Sequence, residues 1–168
     1  MARLVSLHAR AAIQGQETDQ VPVMLATITH PSLSVPAYLS SDPTERISAD
    51  PLVYGTRHAG IVFPFVLMGA VLPDDQDKSP PKTTLVFENV DADMGRVLRS
   101  IPSPASVDLA VVLAATPDVI ELQFTGLRAT RGSYDANQVS LDISREPFTS
   151  EPMPAGRMTK ARFPGLHL

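Results

Sequence analysis

Residues 106–127 read SVDLAVVLAATPDVIELQFTGL, and this stretch decides the fold. Residues 106–115 form a nearly continuous apolar run, which predicts a strand that is buried on both faces. Residues 119–127 alternate apolar and polar side chains, which predicts a strand with one buried and one wetted face. The connection between them, TPD at residues 116–118, is too short for a crossover helix. The two strands should therefore form an antiparallel hairpin.

Further strands are predicted on both sides of this hairpin, in segments rich in β-branched or alternating apolar residues. The longest apolar segment, residues 59–72, contains Pro64, so we expect that strand to bend or to lie at a sheet edge there. Gly132 and Asn137 are turn residues and predict a loop over residues 128–137. The remaining predicted strands cover residues 21–30, 33–39, 46–48, 83–89 and 138–145.

Two segments carry the helical period instead. Residues 2–14 are rich in alanine and place apolar side chains at i, i+3, i+4 and i+7. In residues 91–101, Met94, Val97 and Ile101 fall on one face, with acids at the start and prolines after the end, as is typical of a helix. The sequence thus predicts an N-terminal helix and one helix inserted between strands.

Together these elements predict a mainly β fold of the α+β class. Because the strands do not alternate with helices, an antiparallel β-sandwich or a barrel-like sheet is favoured over a parallel fold. The sheet should carry the N-terminal helix, one inserted helix at about residues 91–101 and an extended C-terminal arm. We expect residues 1–146 to form a single β-rich domain and residues 147–168 to form the proline-rich arm.

Composition narrows the class of protein. The chain has 168 residues, of which 43% are hydrophobic and 19% are charged, and this balance argues against disorder. With 14 Lys and Arg against 18 Asp and Glu, the net charge of −4 argues against a nucleic-acid partner, since phosphate binding needs clustered cations. The absence of cysteine excludes disulfides, thiolate metal sites and cysteine nucleophiles.

No targeting signal or membrane span is expected. The basic residues near the N-terminus are spread through the segment and do not precede an apolar core, as they would in a signal peptide. The longest apolar run, AGIVFPFVLMGAVL at residues 59–72, falls short of the ~20 residues of a spanning helix and has Pro64 in its middle. We therefore expect a protein made in the cytoplasm, with no membrane partner.

The arm begins where the composition changes, at residues 147–168, PFTSEPMPAGRMTKARFPGLHL. Its four prolines keep the backbone extended without a hydrogen-bonded ladder. Extended, the arm could span up to ~70 Å, whereas a 168-residue domain has a radius of gyration of only ~15 Å. The arm therefore either wraps its own domain or reaches a neighbouring subunit, and both interpretations stay open. The candidate interaction anchors along it are Phe148, Met153, Met158, Phe163 and Leu166.

No catalytic or ligand-binding motif is present. The four histidines lack the i, i+2 or i, i+4 spacing of a metal-binding face. The acidic loop at residues 74–77 lacks the glycine and the distal glutamate of an EF-hand, so a solvated charge cluster is favoured over a calcium site. Asp91 and Asp93 are explained by helix capping. We therefore expect no enzyme activity, no catalytic residue, no metal and no cofactor.

Five motifs run through the chain from about residue 20 to the end. They are VPVMLATITH at 21–30 with PAY at 36–38; VYG at 53–55 ahead of an apolar stretch that ends in LP at 72–73; LVFEN at 85–89 before the helix at 94–101; EPF at 146–148; and RFPGL at 162–166. With these motifs the chain resembles a family of small proteins of unassigned domain type from the tail-tip gene clusters of long-tailed bacteriophages and prophages. RFPGL is the most specific of them.

The resemblance implies a structural component of a phage tail tip or baseplate. Such a protein would assemble as a homo-oligomeric ring with distal tail, hub or tape-measure proteins, and would be located in the virion tail. The family has no established functional residues to carry over.

Two alternatives remain open at this point. One is a carbohydrate- or receptor-binding β-module of a phage particle, and the other is a small enzyme of unknown type. The chain has no tryptophan and only three tyrosines, so it offers few aromatic side chains on which a sugar could stack.

Overall fold

The computed structural model describes residues 6–70, 82–88, 103–135, 138–145, 159 and 161–166. Within these residues the chain is mainly β, with one short α-helix near the N-terminus and antiparallel pairing between all named neighbouring strands. The predicted α+β class with antiparallel sheets is confirmed.

The described elements follow one another in this order along the chain. The α-helix α1 spans Leu7–Gln14. The strands are β1 Pro22–Thr29, β2 Ala37–Ser40, β3 Glu45–Ala49, β4 Leu52–His58, β5 Ile61–Pro64, β6 Met68–Ala70, β7 Lys82–Glu88, β8 Ser106–Leu113, β9 Thr116–Tyr134 and β10 Gln138–Ser144, and a short 3-10 helix spans Pro164–Leu166.

Seven strands form one sheet in the order β2-β1-β8-β9-β10-β7-β6. The two ends of this sheet meet, because the Ser40 carbonyl at the end of β2 accepts the N–H of Val66, 2.9 Å away and just before β6. Ser40 also forms a parallel bridge with Phe65. The sheet therefore curls into a barrel-like shell that encloses a core drawn from one of its faces. That core consists of Ala26, Ile28, Leu39, Leu85, Phe87, Ala105, Val107, Leu109, Phe124, Leu127, Val139, Leu141 and Ile143.

Bulges in β9 help the long strand to curve. Val107 pairs with Leu127 and Leu109 pairs with Phe124, so two residues of β9 oppose one of β8. Gly126 lies in that bulge at a φ of 69°, a conformation that residues with a Cβ rarely adopt. Its N–H donates to the Asp108 carboxylate at 3.0 Å. A bulge of this kind bends the strand and increases its twist, as closure of a barrel requires.

The three-stranded sheet β3-β4-β5 packs on the outside of the barrel. Phe63 of β5 joins Val23, Leu25 and Val112 of the barrel in a second buried cluster, which we call the outer core. The Phe63 ring also meets the ring of Tyr38 edge to face, with centroids 5.0 Å apart. A single aromatic anchor therefore holds much of the small sheet in place.

The central strands are buried from both sides as a result. In β1, Val23 and Leu25 face the outer core, while Ala26 and Ile28 face the barrel core. In β8, residues of the barrel core are followed by Val112 of the outer core. The prediction that residues 106–115 are covered on both faces is confirmed.

The prediction of one strand over residues 59–72 is wrong, but the expected sheet edge at Pro64 is confirmed, because β5 ends there and is an edge strand. Residues 61–64 form β5 in the small sheet, whereas residues 68–70 form β6 in the barrel. Strand β4, which precedes the apolar run, was not predicted. It forms a hairpin with β5 that turns through Ala59 and Gly60. Both residues have positive φ, 48° and 79°, and alanine is an unusual residue for such a turn.

The loop predicted over residues 128–137 is also largely wrong. Strand β9 continues to Tyr134, because β10 pairs with it from Arg128 to Tyr134. Gly132 lies within this ladder opposite Leu141, whereas Asn137 lies outside the described residues. The hairpin between β8 and β9 is confirmed, but it turns at residues 114–115, since Leu113 already pairs with Thr116.

Several predicted elements lie outside the described residues. These are the helix at 91–101, the acidic loop at 74–77 and much of the arm. The N-terminal helix is observed as Leu7–Gln14, and residues 1–5 are outside the description. Among the residues that are described, no helix is both long and apolar enough to cross a membrane.

Candidate functional site

The described residues at the tip of the predicted arm fold into a local turn that is exposed. The Thr159 carbonyl accepts the N–H groups of Arg162 at 3.0 Å and Phe163 at 2.9 Å. The turn continues into the 3-10 helix Pro164–Leu166, and residues 159 and 161–165 are all exposed. The Phe163 side chain is 45% exposed. Of the other predicted anchors, Leu166 ends the 3-10 helix, while Phe148, Met153 and Met158 lie outside the described residues.

The start of β9 holds the tip of the small sheet. Between the pairs Val112–Ile120 and Leu113–Thr116, β9 contains three extra residues, 117–119, which bulge out. The Nδ1–H of His58 donates to the Pro117 carbonyl at 2.7 Å. The N–H of Ala59 donates to Oδ1 of Asp118 at 2.7 Å. The β4–β5 turn is therefore fastened to the bulge.

A second irregularity turns Glu121 inward. Val111 pairs with Leu122 and Val112 with Ile120, so Glu121 is an extra residue in β9. Its side chain is only 7% exposed, whereas Ile120 is 38% exposed. The predicted alternation, with Ile120 buried and Glu121 wetted, is wrong at this point because the bulge shifts the side-chain period by one residue.

The buried Glu121 carboxylate secures helix α1. It accepts the N–H of Ser6 at 2.8 Å and the Ser6 hydroxyl through its other oxygen at 2.5 Å. The same Ser6 oxygen accepts the N–H of Ala9 at 3.1 Å and so caps the helix. The charge of Glu121 is thus compensated by two donors, and the start of α1 is held against the barrel wall.

We expect Ser6→Ala to lower the free energy of unfolding by about 1–3 kcal/mol, because it removes the helix cap and one donor to a buried carboxylate. Urea unfolding of the full chain would measure the loss. Ser32→Ala is the matched control and should change little. Ser32 is exposed and binds His30 through its backbone N–H, which the substitution keeps. Equal midpoints for both variants would contradict the role given to Ser6.

Exposed apolar side chains gather at this end of the barrel. Ile120 pairs with Val112 of the outer core and so shares its face. Val21 directly precedes β1, and its carbonyl accepts the N–H of Ala114 at 2.9 Å. Ile61 lies across from His58, which is fastened to the bulge of β9. Val21 and Ile61 are 53% and 41% exposed. We call Val21, Ile61 and Ile120 the apolar rim; it continues the outer core into solvent.

Acidic side chains flank the apolar rim. Glu17 and Asp19 are exposed and lie four and two residues before Val21. Asp118 is exposed in the bulge next to Ile120 and is held by its hydrogen bond to Ala59. On the basic side, Arg10 is exposed on α1, and the exposed Arg57 next to His58 is paired with Glu45 at 3.0 Å. Among the described residues, the surroundings of the apolar rim are therefore more acidic than basic.

The structure brings together one serine–histidine pair that sequence reasoning missed. His30 is buried, and its Nδ1 accepts the N–H of Ser32 at 3.0 Å. In the neutral ring the proton therefore sits on Nε2, which donates to the Ser103 hydroxyl at 2.7 Å. A base that activates serine needs a lone pair at that nitrogen, so this pair is arranged to hold a loop and not to make a nucleophile.

A second polar cluster lies at the junction of the two sheets. The Ser40 and Thr56 hydroxyls are 2.7 Å apart and buried, and Ser40 Oγ accepts the N–H of Asp42 at 3.1 Å. The Asp42 carboxylate in turn accepts the N–H and the hydroxyl of Thr44. Every bond in this cluster stays within the junction, which identifies it as a structural turn.

The other sequence candidates that the structure describes do not converge either. Of the tyrosines, Tyr38 packs on Phe63 and Tyr54 is exposed on β4, so they do not build a stacking platform together. In the part of the chain that the structure describes, no three His, Asp or Glu side chains are grouped closely enough to hold a metal ion.

The described structure thus defines a class: a barrel-like antiparallel domain with a docked hairpin sheet, an apolar rim and an exposed arm tip. The chain matches no protein-family model and no curated protein. Its function must therefore be argued from these features.

Proposed function

We propose that the protein is a structural component of a bacteriophage tail tip or baseplate, where it contacts copies of itself and neighbouring tail proteins. The observation that carries the proposal is the exposed arm tip. Residues 159 and 161–165 fold into an exposed turn in which Phe163 is 45% exposed, and a large apolar side chain left in contact with water is suited to binding another chain.

The free edge of the small sheet offers a poorer route to assembly. Within the described residues β3 pairs only with β4, so its outer edge is open. The pairing is interrupted by a bulge between Arg46 and Ser48. Bulges and charged side chains are the devices that block edge-to-edge association. The arm is therefore the better candidate for the assembly contact, in agreement with the resemblance of the RFPGL motif.

Deleting residues 159–168 should leave the domain folded but block its incorporation into particles. The reason is that residues 159 and 161–165 are exposed, so their removal should uncover little of the barrel. Thermal unfolding of the truncated chain would check the fold, and immunoblots of purified tails from cells producing it would check incorporation. The single variant Phe163→Ser should give the same loss, and Leu52→Ser, at another exposed apolar residue, serves as its control. Normal incorporation of the truncated chain would overturn the proposal.

A further inference from the structure

Resting on the proposed function, we propose that the apolar rim of one copy receives the arm tip of a second copy. In this contact the Phe163 ring packs on Val21, Ile61 and Ile120. The basic side chain beside it in the sequence, Arg162, then faces the acids that flank the apolar rim.

The apolar rim is suited to binding an aromatic side chain because it extends the outer core into solvent. Phe63 already fills the outer core between the small sheet and the barrel. Ile120 and Val21 extend the same barrel face beyond the edge of that sheet, and Ile61 extends the facing side of the sheet. A second aromatic side chain would continue this packing and remove three exposed apolar side chains from water.

The charges of the two surfaces are complementary. Of the 14 Lys and Arg in the chain, three lie in the arm, but only one of the 18 Asp and Glu does. The arm is therefore basic and the rest of the chain is strongly acidic. Among the described side chains close to the apolar rim, the acids Glu17, Asp19 and Asp118 outnumber the cation Arg10, and Arg57 is already paired with Glu45 at 3.0 Å. Such complementarity favours encounter and sets the orientation of the arm.

The aromatic side chain is assigned to a second copy because the arm tip is exposed on its own chain. Residues 159 and 161–165 are exposed, and the backbone N–H groups of Arg162 and Phe163 donate to the Thr159 carbonyl. A contact from the arm of one subunit to the barrel of the next is also heterologous, so it can be repeated around a ring.

Engineered disulfides can test this contact cleanly, since the chain has no cysteine. Two separate variants, Ile120→Cys and Phe163→Cys, are purified, mixed and equilibrated in a glutathione buffer. We expect a cross-linked species of twice the 18.1 kDa chain mass, formed several-fold faster than when Ile120→Cys is replaced by the control Thr125→Cys. Thr125 is exposed on the same strand, about 17 Å further along. Thermal unfolding of each variant verifies its fold.

Charge supplies an independent readout. Glu17→Lys combined with Asp19→Lys should slow the cross-linking of Ile120→Cys with Phe163→Cys, as should added salt. Equal rates for the Ile120 and Thr125 partners would overturn the proposal. A second result would also overturn the proposal. In it, the double variant Ile120→Cys with Phe163→Cys cross-links only within one chain at high dilution, while the two mixed single variants do not react.

Failure of this inference is distinguishable from failure of the proposed function. If particles require the arm but the mixed variants do not cross-link at the apolar rim, the arm binds elsewhere and only the present inference is overturned. If the cross-link forms but tails take up the truncated chain normally, the contact between copies stands and the tail role is overturned.

Discussion

Gly55→Ala is expected to destabilise the protein severely, by about 3 kcal/mol or more, because the added methyl group has no space. Gly55 is buried in β4, opposite Pro64 of β5. A Cβ at this position would overlap the Phe63 carbonyl oxygen and lie 3.0 Å from the carbonyl carbon of the same residue. Backbone atoms cannot rotate away as a side chain can, so the two strands would have to separate.

Urea or thermal unfolding of the purified variant would measure this loss. Gly69→Ala is the matched control, since Gly69 also lies in a strand and its added Cβ would have no atom within 4 Å. We expect that control to be neutral or slightly stabilising, because alanine restricts the unfolded chain more than glycine does. A Gly55→Ala protein as stable as Gly69→Ala would show that β4 and β5 do not approach as described.

Phe63→Ala is expected to cost about 3–5 kcal/mol, the range for truncating a buried phenylalanine. Phe63 is the only residue of the small sheet among the fully buried members of the outer core, and it contacts the Tyr38 and His58 rings. Removing it leaves a cavity between the sheet and the barrel. The hydrogen bonds of His58 and Ala59 to the β9 bulge would then have to hold the sheet with little apolar packing.

Denaturant unfolding gives the size of this effect, and hydrogen exchange locates it. Amides of β4 and β5 should lose protection more than those of β8 and β9, since the barrel core does not include Phe63. Leu52→Ala, an exposed residue of the same sheet, is the comparison and should be nearly silent. Unchanged protection in β4 after Phe63→Ala would contradict the role of this anchor.

Periodic segments were predictable because their burial follows a regular pattern. Strands β1 and β10 were predicted within two residues of their ends, and the β8–β9 hairpin was predicted from its short connection. Apolar runs in β1 and β8 reflect burial on both faces, which requires only that some element cover each side. The class of fold followed from these strands alone.

The errors occur where pairing partners, and not local composition, decide the structure. Residues 128–134 are polar and contain Gly132, yet they form a strand because β10 supplies a ladder beside them. Residues 61–64 and 68–70 share one apolar run, yet they join different sheets. A turn with Ala59 at positive φ between β4 and β5 gave no local signal, because alanine rarely adopts that conformation.

Only one of the two parts of the candidate site could be predicted from the sequence. The predicted arm and its proposed anchor Phe163 stood out by composition. The apolar rim did not, because the extra residue Glu121 reverses the faces of β9 and exposes Ile120. A bulge depends on the register of the opposing strand, so reading one strand by itself cannot reveal it.

The sequence by itself determined the mainly β character, the antiparallel hairpin of β8 and β9, and the separate composition of the arm, because each depends on neighbours within a few residues. Only the tertiary structure decided that the sheet closes on itself at Ser40 and Val66, that the small sheet docks through Phe63, and that Ile120 faces solvent. These features depend on contacts between residues far apart in the chain. Such contacts form only when strand order and register are set by the fold as a whole.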